Sequence, residues 1–279
     1  MEVVTFRNKL LTLLSSASYN HQKIGFVPTM GALHNGHTSL IKRAVSECDI
    51  VIASIFVNQS QFNENEDFVK YPKKPVEDIE MLDAAGCDLV FMPEADQIYN
   101  GSALSVPDLG SVETVMEGAF RPGHFKGMKE VVARLFNLTT PNRAYFGEKD
   151  FQQLAIIRSL VKTLGNKIEV VGCPTIRESD GLAMSSRNIR LTIEERKEAG
   201  CIYRALKQAV TSFRKHNAKI AQQGFITEVE QSGLFKVEYV SCANSESLEP
   251  MYSCDPAIDQ RILTAVSSSQ TRLIDNIAV

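Results

Sequence analysis

The sequence predicts an α/β fold: a Rossmann-like parallel sheet with helices on both faces, followed by a smaller α+β unit. Three observations predict it. Short apolar runs alternate with amphipathic stretches through the first two-thirds of the chain, the signature of strand–helix–strand units. One run, Asp49 to Val57, is apolar almost throughout, as in a strand buried on both faces. After Cys173-Pro174 the alternation stops, and long charged stretches give way to three strand-like runs. The boundaries drawn from this change are residues 1–175 and 176–279.

In chain order, Lys23 to Pro28 reads as a strand ended by proline. Gly36 to Cys48 reads as a helix, with Leu40, Ile41, Ala44 and Val45 recurring at helical spacing. The Asp49–Val57 strand follows. A helix over Val76–Ala85 stops at Gly86, and Asp88 to Pro93 is the next strand. Ser102 to Gly118 has no periodicity and reads as a long loop with short elements. Gly127 to Leu138 is helical, Arg143 to Phe146 is a strand, Asp150 to Leu164 is a helix ended by Gly165, and Lys167 to Gly172 is a strand. One long charged helix is expected over Thr192–His216 and another over Ala218–Gln231. Strands are expected at Lys236–Cys242, Arg261–Val266 and Thr271–Asn276.

Composition narrows the function classes. The 279 residues carry a net charge of −3, with 44% hydrophobic and 23% charged residues, as in an ordinary globular protein. No basic face suited to nucleic acid is expected. The six cysteines form no C-x-x-C pair, so they read as small buried hydrophobes in a reducing, cytoplasmic setting rather than zinc ligands. Residues 1–7 lack the basic-then-apolar pattern of a signal peptide, and no apolar run is long enough to span a membrane.

Six stretches carry candidate chemistry. Met30-Gly31-Ala32-Leu33-His34-Asn35-Gly36-His37 joins the first strand to the first long helix. His34 and His37 project on one side of a helix start, where amides and the dipole favour phosphate. Two imidazoles placed there can stabilise charge developing during displacement at phosphorus. Leu182 to Asn188, preceded by Arg177 to Gly181, supplies two hydroxyls, Ser185 and Ser186, and the Arg187 guanidinium, a set suited to terminal phosphates. Gly147-Glu148-Lys149-Asp150 opens a helix that also carries Gln153, and Lys149 could neutralise phosphate. Asn58 and Gln61 offer neutral donors and acceptors after the second strand. Glu77 and Asp78, near a helix start, could hold Mg²⁺ through oxygen or complement the helix dipole. Glu117 to Gly127, rich in glycine and titratable side chains, reads as a flap over an anion. There is no G-x-G-x-x-G, no G-x-x-x-x-G-K-[ST] and no G-x-S-x-G, which argues against dinucleotide redox chemistry, P-loop hydrolysis and nucleophile-elbow hydrolysis.

With these motifs in this order, the chain resembles the pantothenate synthetases, the pantoate–β-alanine ligases of the nucleotidyltransferase superfamily. The resemblance runs from the strand before Pro28 to Thr271-Arg272-Leu273-Ile274-Asp275-Asn276-Ile277. It implies that Met30–His37, Gly147–Asp150, Ile176 and Met184–Arg187 bind ATP, with His37 as catalytic acid. His34, Lys149 and Arg187 would join it in the chemistry. It implies Gln61 for pantoate and β-alanine, Gln153 for pantoate, Asn58 beside them, and Glu77 for Mg²⁺. Residues 1–175 would form the ATP- and pantoate-binding domain and 176–279 a lid, in a cytoplasmic homodimer. Gln59 stands where the family usually has proline. The residues alone remain compatible with another H-x-G-H nucleotidyltransferase or a non-catalytic nucleotide-binding regulator.

Overall fold

In the computed structural model, which describes residues 1–15, 21–62, 68–69, 71–99 and 104–279, the apolar runs of the first two-thirds become parallel strands. They are β1 (Glu2–Val4), β2 (Ile24–Thr29), β3 (Ile50–Ile55), β4 (Leu89–Phe91), β5 (Arg143–Gly147) and β6 (Glu169–Cys173). Over the same stretch of chain the helices are α1 (Arg7–Ser15), α2 (Asn35–Glu47), α3 (Pro75–Ala84), α4 (Ala95–Tyr99), α5 (Glu117–Phe120), α6 (His124–Thr139) and α7 (Phe151–Thr163). The first two residues of the expected 102–118 loop lie outside the described residues.

Strand order is β1-β4-β3-β2-β5-β6. The chain therefore reverses its direction of growth at β2, and parallel sheets bind ligands beyond the carboxyl ends of their strands at such a reversal. β2 pairs with β3 along its whole length, from Ile24↔Ile50 to Thr29↔Ile55. Against β5 it pairs only at Gly25↔Arg143 and Phe26↔Ala144. Past those pairs the ladder stops, and the carboxyl ends of β2 and β5 lead into separate loops.

Side chains alternate between the two faces of the sheet, as a period of two requires. Val27, Val51, Ala53, Val90 and Tyr145 join Leu40, Ile41 and Ala44 of α2 in one core cluster. Phe26 and Phe146 turn the other way and meet Phe136 of α6 edge-on, at 6.2 and 6.4 Å between centroids. β1 and α1 were not expected. β1 is only three residues long, and α1 has one fully buried residue, Leu10, so neither carries a strong hydrophobic pattern. All six cysteines are free. Burial pushes the thiols of Cys173 and Cys201 up to about 11, which makes them inert packing groups.

The chain divides into two compact units. The first comprises residues 1–109, 121–148 and 156–174, and the second residues 110–120, 149–155 and 175–279. The second unit holds an antiparallel sheet of β7 (Lys236–Asn244), β8 (Gln260–Ser267) and β9 (Arg272–Ala278). Helices α8 (Ile193–Glu198), α9 (Cys201–Lys215) and α10 (Ala218–Glu230) accompany it. Leu206, Phe213, Phe225 and Val229 from the helices share one core cluster with Ile262, Val266 and Leu273 from the strands.

The single helix expected over Thr192–His216 is two helices, broken at Ala199-Gly200. Gly200 packs against the neighbouring loop so closely that a Cβ there would lie 2.8 Å from the Asp180 carbonyl oxygen. α8 opens with a capping box in which the Thr192 hydroxyl accepts from the Glu195 amide and Glu195 accepts from the Thr192 amide. Glu195 also accepts a hydrogen bond from the Ser269 amide at 2.8 Å, tying the helix to the turn before β9. Burial alone would raise the Glu195 pKa, but the amides of Thr192 and Ser269 more than offset it, and the value falls below 4.5.

A carboxylate with a depressed folded pKa stabilises the protein above its unfolded pKa and ceases to as pH falls through the folded value. Glu195→Ala is therefore expected to lower stability by about 1–2 kcal/mol at pH 7. In denaturant melts the gap should hold above the ordinary value of 4.5 and shrink below it. A gap that stays constant down to acid pH would show that the carboxylate charge is not involved.

Candidate active site

The loop after β2 reverses direction within a few residues. Gly31 has φ +80° and Ala32 φ +50°, two successive left-handed residues. This geometry turns the amides of Ala32 and Leu33 towards one carboxylate, and both donate to Asp78 of α3, at 2.9 and 2.7 Å. Asp78 is 2% exposed. The Thr29 hydroxyl closes the base of the turn by donating to the Ser54 carbonyl at 2.7 Å.

Helix α2 starts at Asn35, with His34 as its N-cap. The Gly36 amide donates to His34 Nδ1 at 3.1 Å, and the His34 amide donates to His37 Nδ1 at 3.3 Å. The two imidazoles thus perform the reciprocal capping usually done by Ser/Thr and Glu. An Nδ1 that accepts from an amide carries no proton, so in each neutral ring the proton resides on Nε2. The ring centroids are 4.2 Å apart. The result is a pair of Nε2–H donors at the amino end of a helix whose dipole also favours an anion.

The loop after β3 carries a short 3₁₀ turn, Gln59–Gln61. Gln61 is buried, and its side-chain amide donates to the Met30 sulfur, which links this loop to the one after β2. The Gln61 carbonyl accepts from His124 Nδ1 at 2.6 Å. Arg121 lies 3.2 Å from His124 Nε2 and can only donate, so His124 is a neutral imidazole protonated on Nδ1. Asn58 is 2% exposed. It donates to the Gly127 carbonyl at 3.2 Å and accepts from Tyr99 and Ser60 at 2.8 and 3.1 Å. It braces the loop from beneath.

The flap expected over Glu117–Gly127 takes a different form. Residues 117–120 belong to the second unit and 121–127 to the first. In the first, α6 begins at His124 rather than Gly127, and His124 enters the helix as the brace under Gln61. In the second, buried Glu117 accepts two hydrogen bonds from Arg272, at 2.6 and 2.7 Å, and one from Tyr239 at 2.8 Å. Arg272 also donates to Glu238 at 2.7 Å. Burial would lower the Arg272 pKa, but Glu117 and Glu238 raise it beyond its ordinary value. Gln152, 3% exposed, accepts from the Glu117 amide and donates to the carbonyls of Val112 and Val115.

Within the second unit, Lys149, Ser185, Arg187 and Asn188 line one hollow beside Asp275. Lys149 lies 3.7 Å from Asp150, and Asn276 donates to the Lys149 carbonyl at 2.9 Å. The loop that carries Met184 to Arg187 is held by Arg177. That guanidinium makes paired bonds to Asp275 at 2.7 and 2.9 Å, donates to the Gly181 carbonyl at 3.0 Å, and stacks on Tyr203 at 3.7 Å. The Met184 amide donates to the Ile176 carbonyl, and the Ser185 hydroxyl caps the 3₁₀ turn Ser186–Arg190. Gly147 ends β5 and Glu148 opens the 3₁₀ turn after it, both in the first unit, and Gln153 is half-buried on α7 in the second.

The two carboxylates considered for a metal differ in kind. Both oxygens of Asp78 are engaged by amides. Glu77 is exposed, with Lys74 at 3.9 Å. One exposed carboxylate fits a hydrated Mg²⁺ that takes its other ligands from water and phosphate. Among the described residues, no three or more His, Cys, Asp or Glu gather as a metal-ligand set.

Comparison with known proteins covers the same length of chain. The family model for pantoate–β-alanine ligase matches residues 2–278. A pantothenate synthetase from Porphyromonas gingivalis is 45% identical over 277 residues, 99% of each chain. The crystal structure of pantothenate synthetase from Thermus thermophilus superposes with a TM-score of 0.91 at 41% identity, covering 99% of both chains. That of pantoate–β-alanine ligase from Francisella tularensis, complexed with β-γ ATP and β-alanine, gives 0.82 at 37% identity, covering 100% of this chain and 97% of that one.

Replacing a helical glycine by alanine ordinarily stabilises by about 0.5–1 kcal/mol. At Gly127 a Cβ would lie 2.3 Å from the Ser60 carbonyl oxygen. Gly127→Ala is expected to reverse the usual sign and destabilise by about 1–3 kcal/mol in a denaturant titration. A higher unfolding midpoint would show that the Ser60–Gln61 turn does not rest on the helix this closely.

Proposed function

The chain belongs to the pantoate–β-alanine ligase family, and from that premise we propose how its own residues divide the work. It condenses pantoate with β-alanine at the expense of ATP, giving pantothenate, AMP and diphosphate. In the first step a pantoate carboxylate oxygen attacks the α-phosphorus. The bond from that phosphorus to the bridging oxygen breaks, and diphosphate leaves with the electron pair. In the second, the β-alanine nitrogen attacks the acyl carbon of pantoyl-adenylate. The acyl carbon–oxygen bond breaks, AMP departs, and the nitrogen gives up a proton.

The observation that carries this reading is the tautomer of the paired histidines. With both Nδ1 atoms accepting from backbone amides, His34 and His37 carry their protons on Nε2 at the amino end of α2, where the helix dipole favours an anion. Such donors stabilise the charge that builds on phosphate oxygens and need no reorganisation as it does so. His37 is assigned the catalytic acid and His34 the phosphate contact beside it. Met30–His37 and Gly147–Glu148 of the first unit, and Lys149–Asp150, Ile176 and Met184–Arg187 of the second, are assigned to ATP. Two cationic side chains and a hydroxyl, from Lys149, Arg187 and Ser185, lie near one another, a set whose chemistry supports a phosphate role for all three. Gln61 is assigned to pantoate and β-alanine, and Gln153 to pantoate. Asn58, with its amide engaged on both sides, supports Gln61.

Glu77 would hold Mg²⁺, which would supply charge neutralisation on the phosphates. The adenylate must be kept from water, a role assigned to the C-terminal unit. A cytoplasmic homodimer completes the reading. Among the described residues, no helix is long and apolar enough to cross a membrane.

Purified protein supplied with Mg²⁺, ATP and pantoate is expected to release AMP continuously only when β-alanine is also present. Absence of AMP above background from folded protein would sink the reading. His37→Ala is expected to slow adenylate formation by about 10²–10³-fold, the scale of one lost transition-state donor. Near-normal turnover in that variant would remove His37 from the chemistry.

A further inference from the structure

We propose that Asp78 is a positioning residue for the reaction, and that its carboxylate acts by holding the Gly31–Leu33 turn from which His34 and His37 project; the inference rests on the function proposed above. Successive backbone N–H groups in a tight turn can converge into a concavity that binds anions. Here Gly31 and Ala32 form that concavity, and the anion within it belongs to the chain itself. Asp78 lies 45 residues beyond Leu33, is 2% exposed, and meets the amides of Leu33 and Ala32 at 2.7 and 2.9 Å.

Three further observations separate this role from an ordinary helix-start carboxylate. The first turn of α3 has no side-chain cap at Lys74, yet Asp78 spends both oxygens on another segment. Gly31 is matched to it: a Cβ there would lie 2.9 Å from Asp78 Oδ2, so the turn has room for the carboxylate only because residue 31 has no side chain. The engaged amides also immediately precede the His34 amide, which fixes the tautomer of His37. A shift of the turn would therefore move the backbone donor that sets the His37 proton. Glu77, the exposed neighbour, is left for metal, and Asp78 is assigned to geometry.

The test compares Asp78→Ala and Asp78→Asn with the parent protein. Misplacement of reacting groups by about 1 Å costs on the order of 10²-fold in rate. Asp78→Ala is expected to lose about that factor in kcat for diphosphate release. The β-alanine KM and the Mg²⁺ concentration for half-maximal rate should stay within about twofold of the parent. Asp78→Asn keeps one acceptor oxygen and should fall between the two; if the alanine variant does not fold, it carries the comparison. In NMR spectra of protein with labelled histidine, the His34 and His37 ring signals should shift in the variants while those of His216 do not. This readout needs no turnover, so it tests the anchor even if the parent makes no AMP. Unchanged kcat in a folded alanine variant, or unmoved ring signals, would overturn the proposal. So would a rate restored to the parent value by about tenfold more Mg²⁺, which would make Asp78 a metal ligand.

Discussion

Everything in the first unit depends on the two-sided pairing of β2. Parallel strands all present their carboxyl ends at one edge, so six loops emerge together there, and β2 alone is shared between the two directions of sheet growth. Its full ladder to β3 and truncated ladder to β5 leave the loops after β2 and β5 on either side of a gap in the pairing. The chain must then turn from a buried strand into α2 within a few residues. That constraint produces the left-handed pair at Gly31-Ala32, the exposed amides and the need for an internal anion. The helix dipole and the two imidazoles add to a site whose direction the sheet has already set.

In both units, buried polar side chains are spent on holding other segments. Asn58 and His124 of the first unit and Gln152 of the second are buried, and each bonds the backbone of a separate element. None presents an uncommitted charge. A buried polar group with its partners in place is rigid, and leaving one partner out costs more than the bond itself contributes. The residues assigned to substrate therefore rest on neighbours that are expensive to displace, which keeps their geometry within the narrow limits catalysis requires.

The middle of the sheet was legible in the sequence because β2, β3 and β4 are continuous apolar runs buried on both faces, and α2 because Leu40, Ile41 and Ala44 repeat at helical spacing. The paired histidines were legible as a motif after a strand. Their tautomers were not, because these follow from backbone amides whose directions only the folded turn defines. Asp78 was read as a metal or dipole carboxylate, since nothing local in Pro75-Val76-Glu77-Asp78 announces a partner so far back in the chain. Glu117 and His124 looked like parts of one loop, and only the fold separates them. The α8–α9 break escaped because a lone glycine in a charged helical pattern carries no sign of the backbone it packs against.

The second unit is assembled from three stretches of chain, and the two short ones arrive first. Arg272 needs Glu117, Asn276 bonds the Lys149 carbonyl, and Arg261 lies 3.9 Å over the Phe151 ring. During synthesis those partners emerge from the ribosome more than a hundred residues before the strands that complete them. Expressed as an isolated C-terminal fragment, residues 175–279 would bury a guanidinium with half its counter-charge missing and leave one edge of the β9 contacts open. The unit is therefore separable in space but not in sequence, and its folding is bound to the chain that precedes it.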